Sequence, residues 1–224
     1  MDQDPLVSEI GLEHSPSVAL RQFSIGLWRI FLGLVMICIG VVLPFLVLAT
    51  KIQIDPKFLW VSVGLTIVGA WVHLSGKQHC WSFALPVQKR HYLTLSFAFD
   101  IAAFACRMAR NLDGIGPIAK PLVSLFALLS LCFLIGFIGY LAKVIDAKSA
   151  KLMVWGTWVS MSFAMVTAFL WGFFSGLGRP EWTFAPMVLA IISAGLSMVM
   201  LMALTANMSI QLKQLSDFLE RESE

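Results

Sequence analysis

Six long apolar runs separated by short polar segments constrain this chain more than any other feature. Each is close to the length of about 20 residues that carries a helix across a hydrocarbon core roughly 30 Å thick. Backbone in lipid must satisfy its own N–H and C=O groups, so such runs are expected to be helices. Only 13% of the residues are charged, against about 25% in a typical soluble domain. That leaves too little polar surface to clothe a water-soluble domain. The expected fold is an all-α integral membrane protein, a bundle of six transmembrane helices with an amphipathic C-terminal extension.

The spans are placed at about 23–50, 58–74, 92–110, 121–144, 152–175 and 184–207. Residues 1–22 read as a mobile polar tail. They open acidic (Asp2, Asp4, Glu9), without the basic start of a secretory signal. In the first span Gly26, Gly33 and Gly40 recur every seventh residue, a stripe suited to a close helix neighbour. Pro44 is expected to bend its last turns. The fifth span carries a longer ridge of small residues, Gly156, Ser160, Ala164, Ala168, Gly172 and Gly176, at every fourth position. Such spacing lets backbones approach closely, so this span is expected to be a central packing element. From Met208 onward Leu212, Leu215 and Leu219 recur at helical spacing among polar residues. Residues 208–224 therefore read as an amphipathic cytoplasmic helix.

Segment 76–91, GKQHCWSFALPVQKRH, is too polar to span and too apolar for an ordinary loop. It reads as an interfacial segment, with Trp81 and Phe83 at headgroup depth and Lys77, Lys89 and Arg90 directed towards phosphates. Six spans put both termini on one side, and more of the 16 Lys and Arg residues fall there than on the other. By the positive-inside rule both termini are cytoplasmic, in a bacterial inner membrane. Cys80 is then expected to be accessible from the cytoplasm. All four cysteines read as free thiols, because they lack the density and spacing of a disulfide framework.

Asp100 is the only acidic residue inside an apolar run. A carboxylate at membrane depth costs roughly 2.5–3.5 kcal/mol on insertion scales, so it calls for a partner or a function. Arg107 follows seven residues later on the same helix face, and Arg110 lies just beyond, so the three form a candidate polar cluster. His73, His79, Cys80 and His91 fall near one membrane face and are candidate ligands. However, no Cys-x-x-Cys or His-Glu-x-x-His spacing accompanies them. No phosphate loop, nucleophile elbow or catalytic triad pattern occurs, and the basic residues are too dispersed for nucleic acid.

The sequence therefore points to a non-enzymatic membrane component that assembles with itself or another membrane protein, with lipid as solvent and no cofactor or metal. The alternative is a small transporter or proton- or ion-linked permease using Asp100. A haem- or metal-binding membrane protein comes third.

The Gly76-Lys77-x-x-Cys80 segment with Pro86 beyond it, and the Phe133-Leu134 to Leu141-Ala142 end of the fourth span, carry a resemblance. In both the chain resembles small multi-pass membrane proteins of planctomycete-type bacteria. The resemblance implies a helical membrane fold and assigns no activity or site residue.

Overall fold

The computed structural model describes residues 16–50, 56–82, 87–109, 116–176 and 180–223. Among these there are six helices and no strand: α1 Pro16–Thr50, α2 Pro56–Ser82, α3 Val87–Ala109, α4 Gly116–Val144, α5 Lys148–Gly176 and α6 Pro180–Ser223. Five of them (α1, α3, α4, α5 and α6) contain a stretch long and apolar enough to cross a membrane. The described part of α2 does not meet that standard, because His73, Lys77 and Gln78 dilute its hydropathy. Many large apolar side chains point outwards, including Trp60, Trp71, Trp155, Leu152 and Phe169. A water-soluble protein would bury such residues; lipid is their natural solvent.

Several boundaries differ from the sequence expectation. Helix α1 begins at Pro16 rather than 23, with proline in the first turn where its missing N–H costs nothing. Pro44 and Pro186 both lie within continuous helices. Helix α2 runs on to Ser82, so the first part of the expected interfacial segment is helical. The expected tail up to residue 15 lies outside the described residues.

The centre of the packing is α1, which has two heptad stripes on nearly opposite faces. Gly26, Gly33 and Gly40 face α2. A methyl group at Gly76 would come 2.7 Å from the Gly26 carbonyl oxygen, and one at Gly69 2.9 Å from that of Gly33. Those contacts leave no room for a side chain, and the two backbones meet directly. The Ser62 hydroxyl closes this interface by donating to the Gly40 carbonyl. Two residues out of phase with the glycines, Ser17 and Ser24 face α6. Ser24 Oγ donates to Ser209 O at 2.8 Å, Ser209 Oγ to Ser24 O at 2.9 Å, and Ser216 Oγ to Ser17 O at 2.8 Å. The partner numbers fall as those of α1 rise, so α1 runs antiparallel to both neighbours. A seven-residue repeat on each seam matches the shallow crossing of left-handed helix pairs.

The core gathers at one end of the bundle. Phe23, Leu27 and Ile30 of α1, Leu134, Phe137 and Ile138 of α4, and Leu204, Met208 and Leu212 of α6 are all buried. Helix α6 is 44 residues long, roughly 66 Å at 1.5 Å per residue. Its final third lies along the first turns of α1.

The ridge on α5 turns out to be divided. A methyl group at Gly156 would come 2.7 Å from Met200 Cε, and Ser160 is buried. Ala164 and Ala168 instead line a cleft of about 300 Å³ among α4, α5 and α6. No side-chain environment is described for Gly172 and Gly176. Leu152, Trp155, Val159 and Phe163 of α5 are exposed, and it is α1 that meets two neighbours, α2 and α6, through its backbone.

The α4–α5 turn closes by backbone chemistry. Ala147 N–H bonds to Ala142 O at 2.9 Å and Asp146 N–H to Lys143 O at 3.3 Å. This double bond pattern wraps the end of α4 around a left-handed residue, here Asp146 at φ 50°. The Asp146 carboxylate also meets Lys151 Nζ at 2.6 Å. That hydrogen bond, with the charge behind it, holds the exposed carboxyl below its usual range.

Candidate functional site: a buried lysine–aspartate pair

Lys77 is among the largest fully buried side chains of the described residues. Its ammonium has three donors, and each finds an acceptor: Ser96 Oγ at 2.7 Å, Asp100 Oδ2 at 2.5 Å and Ser130 Oγ at 2.9 Å. Ser130 Oγ in turn donates to Asp100 Oδ1 at 2.5 Å, so both carboxylate oxygens are engaged. Ser96 Oγ donates to the Ser130 carbonyl at 2.8 Å. The network ties α2, α3 and α4 together and carries no net charge.

Local geometry explains why these residues meet. His73 and Lys77 are four apart on α2, and Ser96 and Asp100 are four apart on α3, so each pair shares a helix face. Residues 83–86 join the two helices, a connection short enough to make them antiparallel neighbours. Helical side chains lean towards the N-terminus of their own helix. In an antiparallel pair Lys77 therefore leans away from the connection and Asp100 towards it, and their charged ends converge. The same rule turns Asp100 away from Arg107.

The polar cluster expected from the sequence, Asp100 with Arg107 and Arg110, thus gives way to a different one. Arg107 is exposed on the last turn of α3, and Arg110 lies outside the described residues. Asp100 finds its cation on α2 instead. The expectation of Lys77 at the headgroups rests on Ser75-Gly76, which looks like the end of a helix. Gly76 in fact serves the close contact with α1, and the helix continues through it. The sequence signal that points to the pair is two i, i+4 polar spacings, His73/Lys77 and Ser96/Asp100, each aligned on one face.

The four candidate ligands are not brought together. His73 is buried beside the ion pair, with Nε2 3.8 Å from Asp100 Oδ2. That is too long for a hydrogen bond. Its Nδ1 is buried and makes no hydrogen bond of normal geometry, while the Ile30 backbone lies close enough to the ring to interact with it. His79 bonds through Nε2 to Gln22 Oε1 of α1 at 2.8 Å. Cys80 is fully buried against α1, contrary to its expected accessibility, and its Sγ lies 3.9 Å from the Phe23 carbonyl. His91 is exposed and packs on the Tyr92 ring. Among the described residues no three His, Cys, Asp or Glu side chains gather as a metal site would require. All four cysteines are free.

A cleft of about 300 Å³ adjoins the pair between α2 and α3. Trp81, Leu93 and Phe97 supply apolar walls and Gln78 and Thr94 polar ones, and Lys77 borders the cleft with no exposed side-chain surface. Trp81 Nε1 donates to Thr94 Oγ1 at 3.2 Å, which ties the two helices at one side of the cleft. Comparison with protein-family models, with curated proteins and with solved structures returned no match.

Proposed function

We propose that this chain is a six-span protein of a bacterial inner membrane, with both termini cytoplasmic, that works as a small proton-linked permease centred on Lys77 and Asp100. The observation that carries this reading is a buried lysine–aspartate pair with a third titratable side chain, His73, buried beside it. Titratable groups at membrane depth typically mark proton and ion pathways. The sixth span is α2, whose polar end is accounted for by the pair it carries. The length of α6, well beyond the hydrocarbon thickness, supports a C-terminal extension on the side of the termini.

One observation favours a second reading, a non-enzymatic assembly component in which the pair only clamps helices: every donor of Lys77 is already satisfied. Measurements on wild type and Asp100→Asn separate the two. Thermal stability across pH 5–9 and proton flux in liposomes under an imposed pH gradient should both respond to pH in the wild type and lose that response in the variant. A wild type as indifferent to pH as the Asn form would end the permease reading.

A further inference from the structure

We infer that the α2–α3 cleft binds a small organic monoanion, a monocarboxylate with an apolar body, and that each anion enters with one proton taken up by Asp100. The inference rests on the permease reading and names its substrate class. The cleft has the shape and chemistry for such a ligand: Trp81, Leu93 and Phe97 would cover an apolar body, Thr94 and Gln78 offer hydrogen bonds, and Lys77 borders the space as a buried cation that an anion reaches only when Asp100 gives it up. Its volume of about 300 Å³ lies at the small end of ligand sites.

Charge neutrality then dictates the coupling. Lys77 has no donor to spare, so an anion gains its cation only by displacing the Asp100 carboxylate. With the anion bound and Asp100 still ionised, the site would hold one cation and two anions. An unpaired charge at this depth is costly, and a proton removes it. Before binding there is a lysinium–carboxylate pair; afterwards there is a lysinium–substrate carboxylate pair and a neutral Asp100, with the proton drawn from water. The titratable groups facing Asp100 are Lys77 and His73, both on α2; α4 contributes Ser130 and α3 Ser96, which do not titrate in this range. Lys77 already holds its proton, and Asp100 is the group that loses its partner. Once protonated it keeps its bond to Ser130, whose hydroxyl both donates and accepts.

Benzoate and its uncharged analogue benzamide are the probes, titrated calorimetrically into the full-length protein in neutral detergent. Two buffers of different ionisation enthalpy report the protons taken up. The expected result is benzoate binding with uptake of about one proton, an affinity that falls about tenfold per pH unit on the alkaline limb, and benzamide binding at least tenfold weaker. Asp100→Asn should bind benzoate without proton uptake or pH dependence, and Lys77→Met should lose it. Phe97→Trp, which fills the cleft without touching the pair, should weaken benzoate binding and keeps the test open if the charge variants do not fold. No benzoate binding, binding without proton uptake by the wild type, or equal binding of benzamide would each overturn the inference. Proton-coupled binding without flux in liposomes would remove the permease reading and leave this site standing. Proton flux without anion binding would do the reverse.

Discussion

Lys77→Met tests the energetics of the buried pair most directly. Methionine keeps most of the length of the lysine stem and removes the charge and all three donors. Each interhelical polar contact in a membrane contributes about 0.6 kcal/mol on average, so losing three removes roughly 2 kcal/mol. The greater cost comes from what stays behind, a carboxylate whose cation is gone. Breaking a buried pair from one side costs about 3–5 kcal/mol. The lost contacts are part of that cost, and Asp100 is 20% exposed and keeps its bond from Ser130, so the low end applies, about 3 kcal/mol. Asp100→Asn strands the lysine and should cost a similar amount. The double variant holds no charge and should be no less stable than either single one, giving a coupling energy of about 3 kcal/mol or more. The assay is reversible unfolding by sodium dodecyl sulfate titrated into mixed micelles, followed by circular dichroism for all four proteins. Additive costs in the double variant would refute the reasoning, because they would mean that the two charges do not depend on each other for their burial.

The α1–α2 seam predicts opposite outcomes at two glycines of one helix. Gly69→Ala drives a methyl group to 2.9 Å from the Gly33 carbonyl oxygen and should cost about 1–3 kcal/mol. Gly64→Ala, with no atom beyond its own stretch of helix within 4 Å of the new methyl, should be neutral or gain up to about 1 kcal/mol in the same unfolding assay. At the α4–α5 turn, Asp146→Gly should be tolerated, whereas Asp146→Val should lose about 1–2 kcal/mol through the left-handed backbone; equal melting temperatures would argue against this turn. Cys80, fully buried, should resist maleimide in the folded protein and react after unfolding. In a cysteine-free background, Ser149→Cys in the exposed first turn of α5 should label from the same side as the termini, and labelling only from the other side would overturn the six-span topology.

The sequence announces the class of solvent and the helices, since hydropathy averaged over a run is a local property that lipid reads in the same way wherever the helix ends up. It also marks Asp100 as a carboxylate in need of a partner and the Gly26, Gly33 and Gly40 stripe as a contact face, which the structure sets against α2. Three matters stay out of its reach. The end of α2 is hidden because Gly76 is a helix breaker by local preference and a close-packing residue in context. The centre of the packing is hidden because regular small-residue spacing, strongest on α5, shows which backbones are able to approach and not which ones do. The partner of Asp100 depends on the antiparallel register of α2 and α3, which brings Lys77 and Asp100 together across 23 positions of chain. Composition, periodicity and spacing act along one helix, and they determined what each segment is made to do. Pairing a charge inside a membrane is settled between helices, by which side chains lean towards each other when the bundle closes, and only the tertiary structure decided that.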